Sequence, residues 1–264
     1  MKKWMYNTLI IIFALIFLGS AAALGFYYWE SSQEQDRYEA LSQLRPTSPL
    51  PTTPEQPDQP AVTGPEMVTV TDPKTGAQLE IFKEFEALYG MNSDLIGWLT
   101  IPGVAVDLPV VHTPDDPEYY LRRNFDKKRQ TRGCLFLDGA ADPWKPSDNL
   151  TVYGHRMQDG TMFGQLLNYL DFEYLLDNQD VYIAFPEKTA HYTAVACLIV
   201  DGADNPIYDD IGQRGDIQHI IDYIYANTEV DPDAELSGDS SLLILSTCHR
   251  AYYSARTLLI CIPD

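Results

Sequence analysis

The longest hydrophobic run extends from Thr8 to Trp29 and contains no charged residue. A helix of roughly 20 apolar residues crosses a bilayer. Lys2 and Lys3 precede the run and favour the cytoplasmic side, and Phe26, Tyr27, Tyr28 and Trp29 close it with aromatic rings suited to the outer interface. On this reading 1–7 is a cytoplasmic N-terminus and 8–29 an uncleaved signal-anchor in contact with the lipid bilayer. The remainder is extracellular, on a single-pass protein of the cell membrane. The rival reading is a cleaved signal peptide with Ser20–Ala23 as its small-residue site. The run is long for that and continues past those residues.

Beyond the run the pattern changes twice. Residues 31–45 mix charges with a few apolar positions and are compatible with helix. Arg45–Pro65 is rich in Pro, Thr and Gln and cannot bury enough apolar surface to fold. We read 30–66 as an extracellular linker and 67–264 as one domain. Ile81–Asn92 has helical spacing through Ile81, Phe85 and Leu88. Short apolar runs bounded by turn residues predict strands at 95–102, 106–112, 133–138, 150–155, 181–186 and 191–200, with a closing pair in "LLILSTC" and "RTLLICI". Thr161–Leu176 and Asp216–Val230 read as helices. About eight short strands with inserted helices predict a mainly β fold, a barrel or sandwich.

Charge narrows the function. The formal net charge is −20, which argues against nucleic-acid partners, since these call for basic patches. No glycine-rich phosphate loop is present. The four cysteines are Cys134, Cys197, Cys248 and Cys261. Three lie within apolar strands, where a free thiol packs as a small hydrophobe. The chain has no C-x-x-C or H-x-x-x-H spacing, so no metal site is expected.

Cys248 differs, because it ends its strand among polar neighbours in "STCHR", and Arg256 opens the next strand. A thiol nucleophile needs a cation or imidazole to stabilise its thiolate. Of five histidines, His191 and His219 suit surface or packing roles, and His112 ends a strand without further signal. His249 adjoins Cys248 in sequence, so on a strand its side chain points to the opposite face. His155 is the stronger candidate base. It ends the strand "LTVYGH" after Gly154, at a strand end where scaffolds present reactive groups.

The tracts "NLTVYGHRMQDGTMFGQL" (149–166) and "LILSTCHRAYYSAR" (243–256) closely resemble the sortases, cysteine transpeptidases of Gram-positive surfaces. The family signature, Thr-Leu-x-Thr-Cys followed by an arginine on the next strand, reads here Ile244-Leu245-Ser246-Thr247-Cys248 and Arg256. Ile244 departs from the usual threonine at a strand-interior position. The tract from Tyr153 to Leu166, with "SDLIGWLTIPG", "DLPVVH", "YYLRRNF" and "GCLFLD", is similar to class B in particular, over about residues 80–264.

The resemblance implies an eight-stranded sortase β-barrel at about 94–264 with an N-terminal helical extension at about 78–93. It implies Cys248 as nucleophile, His155 as proton donor and acceptor, and Arg256 as oxyanion or backbone donor. It further implies that Tyr153, Leu121, Ser246, Thr247, Ile207 and Tyr208 contact the sorting peptide. The implied partners are secreted proteins bearing a C-terminal sorting motif and a peptidoglycan precursor or cross-bridge amine, with no cofactor. His249 replaces the acidic residue often found after the cysteine in class B. Two alternatives stand beside this. One is a pilin-polymerising sortase using a pilin lysine; the Asp-Pro-Trp lid motif of such relatives lies upstream of the barrel, whereas Asp142-Pro143-Trp144 here falls between two core strands and reads as a loop. The other is a non-catalytic peptide-binding surface module.

Overall fold

The computed structural model describes residues 3–46, 66–143, 149–209, 211–249 and 254–264. Lys2, most of the Pro-rich segment, Trp144 and the residues at 250–253 therefore lie outside the described residues. The chain divides into two units, Met1–Gln43 and Leu44–Asp264.

The first unit is a single helix, α1 (Lys3–Ser42). At 1.5 Å per residue, 40 residues span roughly 60 Å. Its N-terminal half is long and apolar enough to cross a membrane. Phe13, Leu15 and Phe17 are exposed on it, as an unaided water-soluble helix would not arrange them.

The second unit opens with a hairpin, β1 (Met67–Thr71) and β2 (Gln78–Phe82), paired antiparallel. Helix α2 (Lys83–Met91) follows directly and buries Phe85, Leu88 and Tyr89. The sequence pattern started this helix at Ile81, but Ile81 and Phe82 are the inward end of β2. An apolar strand end running into an amphipathic helix mimics one longer helical stripe.

Among the described residues, eight strands close a barrel. They are β3 (Leu95–Ile101), β4 (Val106–Val111), β5 (Leu135–Leu137), β6 (Asn149–Tyr153), β7 (Asp180–Ala184), β8 (Thr189–Asp201), β9 (Leu242–Cys248) and β10 (Ala255–Pro263). The order around the barrel is β10-β8-β7-β3-β4-β5-β6-β9. Two pairings, β4 with β5 and β6 with β9, are parallel. The second joins strands nearly 100 residues apart in sequence, and the intervening chain supplies the crossover that parallel pairing requires.

The expected helix over 161–176 is a 3₁₀ segment, Gly164–Leu170, and a short helix, α3 (Phe172–Asp177). Asp171 separates them. Its carboxylate accepts from the backbone N–H of Glu173 and Tyr174, so it caps a new helix rather than continuing the old one. Helix α4 (Gln218–Asn227) packs Ile220, Ile221 and Ile224 onto the barrel through Val195, Leu198, Leu242 and Leu258. The 3₁₀ turn Pro206–Tyr208 joins the same apolar cluster through Ile207.

Candidate active site

Three neighbouring strands build the site. β9 and β10 are antiparallel with Cys248 directly opposite Arg256, so both side chains stand on one face about 5 Å apart at Cβ. β6 runs parallel to β9 on its other side, with Tyr153 opposite Ser246. The register continues past the strand, because Gly154 N donates to Ser246 O at 3.1 Å. Thr247 Oγ1 then donates to Gly154 O at 2.8 Å. His155 is thus carried to the level of Cys248. Residues two apart share a face, so Tyr153 and His155 of one strand look out beside Ser246 and Cys248 of the next.

This face lines a cavity of about 630 Å³. His155, Cys248, Arg256, Tyr153, Leu121, Ser246, Thr247 and Tyr208 all line it. Ile207 does not. It is 0% exposed and packed among Ile220, Ile221 and Ile224. Successive residues of a 3₁₀ turn point about 120° apart, so the turn that sends Tyr208 into the cavity sends Ile207 into the core. The cavity also takes in groups that the sequence reading did not single out, chiefly Glu118, Phe136, Asp138 and Gln213.

The histidine is held by backbone. His155 Nε2 lies 2.7 Å from the carbonyl oxygen of Leu121. A carbonyl only accepts, so Nε2 carries a proton, and Nδ1 is the ring position left to exchange one. Arg256 is tethered through Nη1 to the carbonyls of Ser254 and Ala255, both at 3.1 Å. It backs onto Gly202, where a Cβ would come within 2.9 Å of Arg256 Cγ and 2.8 Å of Ser254 O.

Two tyrosines shape the floor. Tyr153 donates to Asp138 Oδ2 at 2.8 Å. Burial, together with the adjacent Asp138 carboxylate, pushes its phenol far above the ordinary range, so it stays protonated. Tyr208 and Ser246 share a hydrogen bond of 2.8 Å, and burial raises the Tyr208 phenol too. Phe136 packs on Tyr153 at 5.4 Å between centroids.

The other candidates lie elsewhere. Cys134, Cys197 and Cys261 form no disulfide among the described residues and are buried, whereas Cys248 is exposed. Burial raises the thiols of Cys197 and Cys261. His249 turns to Thr257 Oγ1 at 2.9 Å, on the face opposite to Arg256. His112 Nε2 is 3.1 Å from the Asp138 carbonyl, and His191 sits between Asp180 and Asp264. No group of His, Cys, Asp and Glu among the described residues is arranged to hold a metal ion.

An exposed thiol, an imidazole and a guanidinium thus lie on adjacent strand ends and line one cavity. The sortase domain model matches residues 99–262, and the chain belongs to the sortase family, as a cysteine transpeptidase of class B. Sortase B of Listeria monocytogenes is 25% identical over 176 residues, covering 66% of this chain and 70% of the relative. Sortase B of Staphylococcus aureus is 26% identical over 177 residues, covering 66% and 71%. In fold, the chain is similar to a Staphylococcus aureus sortase B–substrate complex, with a TM-score of 0.69 and 20% identity over 89% of this chain and 98% of that one. It is also similar to sortase B from Bacillus anthracis, with a TM-score of 0.68 and 19% identity over 89% and 98%.

Proposed function

We propose that the cavity is the catalytic centre and that the protein anchors secreted proteins to the cell wall. Cys248 attacks the backbone carbonyl of a sorting motif near the substrate's C-terminus. The C–N bond breaks and a thioester forms. His155 Nδ1 takes the Cys248 thiol proton and gives it to the departing amine, while the Nε2–H keeps its hydrogen bond to the Leu121 carbonyl. It then takes a proton from the incoming amine as that amine displaces the thiol. Arg256 stabilises the developing oxyanion, a contribution of roughly 10²–10³ in rate. The acceptor is a peptidoglycan amine. Tyr153, Leu121, Ser246, Thr247 and Tyr208 contact the sorting peptide. The observation that carries this reading is the placement of Cys248 between Arg256 and the β6 extension bearing His155.

The likeness to a sortase B–substrate complex supports binding of a sorting-motif substrate. The apolar N-terminal helix supports a membrane-anchored enzyme, and on this reading the domain lies outside the cell. Of the pilin motif, Asp142 and Pro143 follow β5, within the barrel's strand order rather than ahead of it, and Trp144 lies outside the described residues. Cys248→Ala should abolish cleavage of a sorting peptide with no loss of thermal stability. Cleavage by the folded variant at the wild-type rate would remove Cys248 from the mechanism. Incubation with a peptidoglycan amine and with a pilin lysine peptide, each with the acyl-enzyme, then distinguishes the acceptors by product mass.

A further inference from the structure

One turn beside the cavity concentrates positive charge that acyl transfer does not use. Residues 122–132 hold six of the chain's 18 Lys and Arg residues and a single acid, Asp126, in a chain of net charge −20. The backbone folds back on itself here. Gln130 N donates to Arg122 O and Asn124 N to Lys128 O, both at 2.9 Å. Asn124 Oδ1 accepts from Lys128 N at 3.0 Å, and Lys127 makes the reversal at φ 64°. Arg123 and Arg129 are thereby directly opposite each other. Like charges facing across neighbouring strands are destabilising, and an anion bound between them reverses the sign.

Protein groups satisfy only some of these cations. Lys127 pairs with Asp94 at 3.0 Å and Arg132 with Asp159 at 2.7 Å. Arg123 lies over the Tyr119 ring at 4.2 Å and donates through Nη1 to Tyr119 O, which fixes the plane of its guanidinium. Arg122, Lys128 and Arg129 are exposed and make no side-chain hydrogen bond or ion pair among the described residues.

We propose that this turn binds the phosphate groups of an anionic lipid surface and so sets the face of the domain turned to the bilayer. Guanidinium groups suit phosphate through paired N–H donors. The lipid source follows from the chain itself and rests on the reading of α1 as a membrane anchor. Only 24 residues separate Ser42 from Met67, which reach at most roughly 80 Å when extended. A bilayer is therefore always at high effective concentration for the domain. A domain this acidic is repelled by anionic headgroups over most of its surface, so a compact cationic turn dominates its orientation. The turn begins one residue after Leu121, which lines the cavity. Binding would hold the cavity mouth near the headgroup layer.

The test uses the full chain in lipid nanodiscs of phosphatidylcholine alone or with phosphatidylglycerol, read by amide hydrogen exchange. With anionic lipid, amides 122–130 should exchange about tenfold more slowly. The protection should vanish in high salt and in the Lys128→Glu/Arg129→Glu variant, which should fold and incorporate like wild type. Equal exchange in both lipids, or equal protection in the variant, would overturn the proposal. So would equal protection by inorganic phosphate or a soluble glycerol-phosphate polymer in zwitterionic discs, since the lipid would then not be the source. Failure of the chain to incorporate would instead sink the anchor reading, and vesicles added to the same chain would still test the turn.

Discussion

At Gly154 a Cβ would come within 2.5 Å of Leu135 Cδ2 and 2.6 Å of Phe163 Cδ2. Only glycine lets the β6 extension lie down against Leu135 and Phe163 and deliver His155 beside Cys248. The cysteines show the same control by environment. Burial holds Cys197 and Cys261 as thiols, and Cys134 is likewise enclosed. A soft alkylating reagent should therefore add to the native chain once, at Cys248, and four times in denaturant. Two or more rapid native adducts in the intact mass would contradict the packing. The roles of His155 and Arg256 separate by substitution. His155→Ala should lose essentially all transpeptidation, because proton transfer has no substitute at that place. Arg256→Lys should keep a small residual rate and Arg256→Ala less, with acyl-enzyme formation slowed about 10²-fold or more. Wild-type turnover in Arg256→Ala would make it a mere strand-end charge. These side chains were legible in the sequence because their motifs are local. The Leu121 carbonyl that holds His155 was not, since any residue offers a carbonyl and only the fold aims one.

The 3₁₀ turn Tyr119–Arg122 carries that carbonyl, and its own support is polar and buried. Tyr120 OH donates to Asp94 Oδ2 at 2.7 Å and accepts from Asn92 Nδ2 at 2.7 Å. The same Asn92 amide reaches Phe125 O at 2.9 Å. The turn is therefore braced from the segment between α2 and β3, well away from the cavity. Tyr120→Phe removes the brace and keeps the ring. It should cost about 1–2 kcal/mol of stability and lower kcat several-fold with little change in KM. The ¹⁵N shifts of His155 in wild type should report the Nε2–H form, and in the variant a mixture of tautomers. An unchanged tautomer and pH–rate profile, with only a lower Tm, would reduce Tyr120 to packing. At this scale the strands of the barrel were readable from short apolar runs between turn residues. Their order was not, because the parallel pairings of β4 with β5 and β6 with β9 depend on contacts distant in sequence. The β1–β2 hairpin escaped notice because its half-exposed alternation follows directly on a Pro-rich segment.

Across the whole domain, Asp94 is where three peripheral segments meet. Its carboxylate is 4% exposed and takes Lys74 from the β1–β2 turn, Lys127 from the cationic turn and Tyr120 from the 3₁₀ turn. Burial by itself would raise this carboxyl. The bonds from Lys74, Tyr120 and Lys127 outweigh it and hold the group below the ordinary value of 3.8. The folded state thus binds its proton less readily than the unfolded chain. The resulting stability is fully present above the unfolded value of about 3.9 and is lost as pH falls through the lower folded value. Asp94→Asn keeps an oxygen for Tyr120 but loses the charge that the two lysines face. Its cost at neutral pH should be about 1–3 kcal/mol, set by the desolvated carboxylate and reduced by the solvent reaching both lysines. Urea unfolding of both proteins at a series of pH values isolates this group from the other acidic residues, which titrate alike in the two. The gap between the curves should be constant from neutral pH to about 5 and should close below pH 4. A gap that stays constant down to pH 3 would mean that the proton affinity of Asp94 is the same folded and unfolded, and that the lysines contribute nothing through its charge.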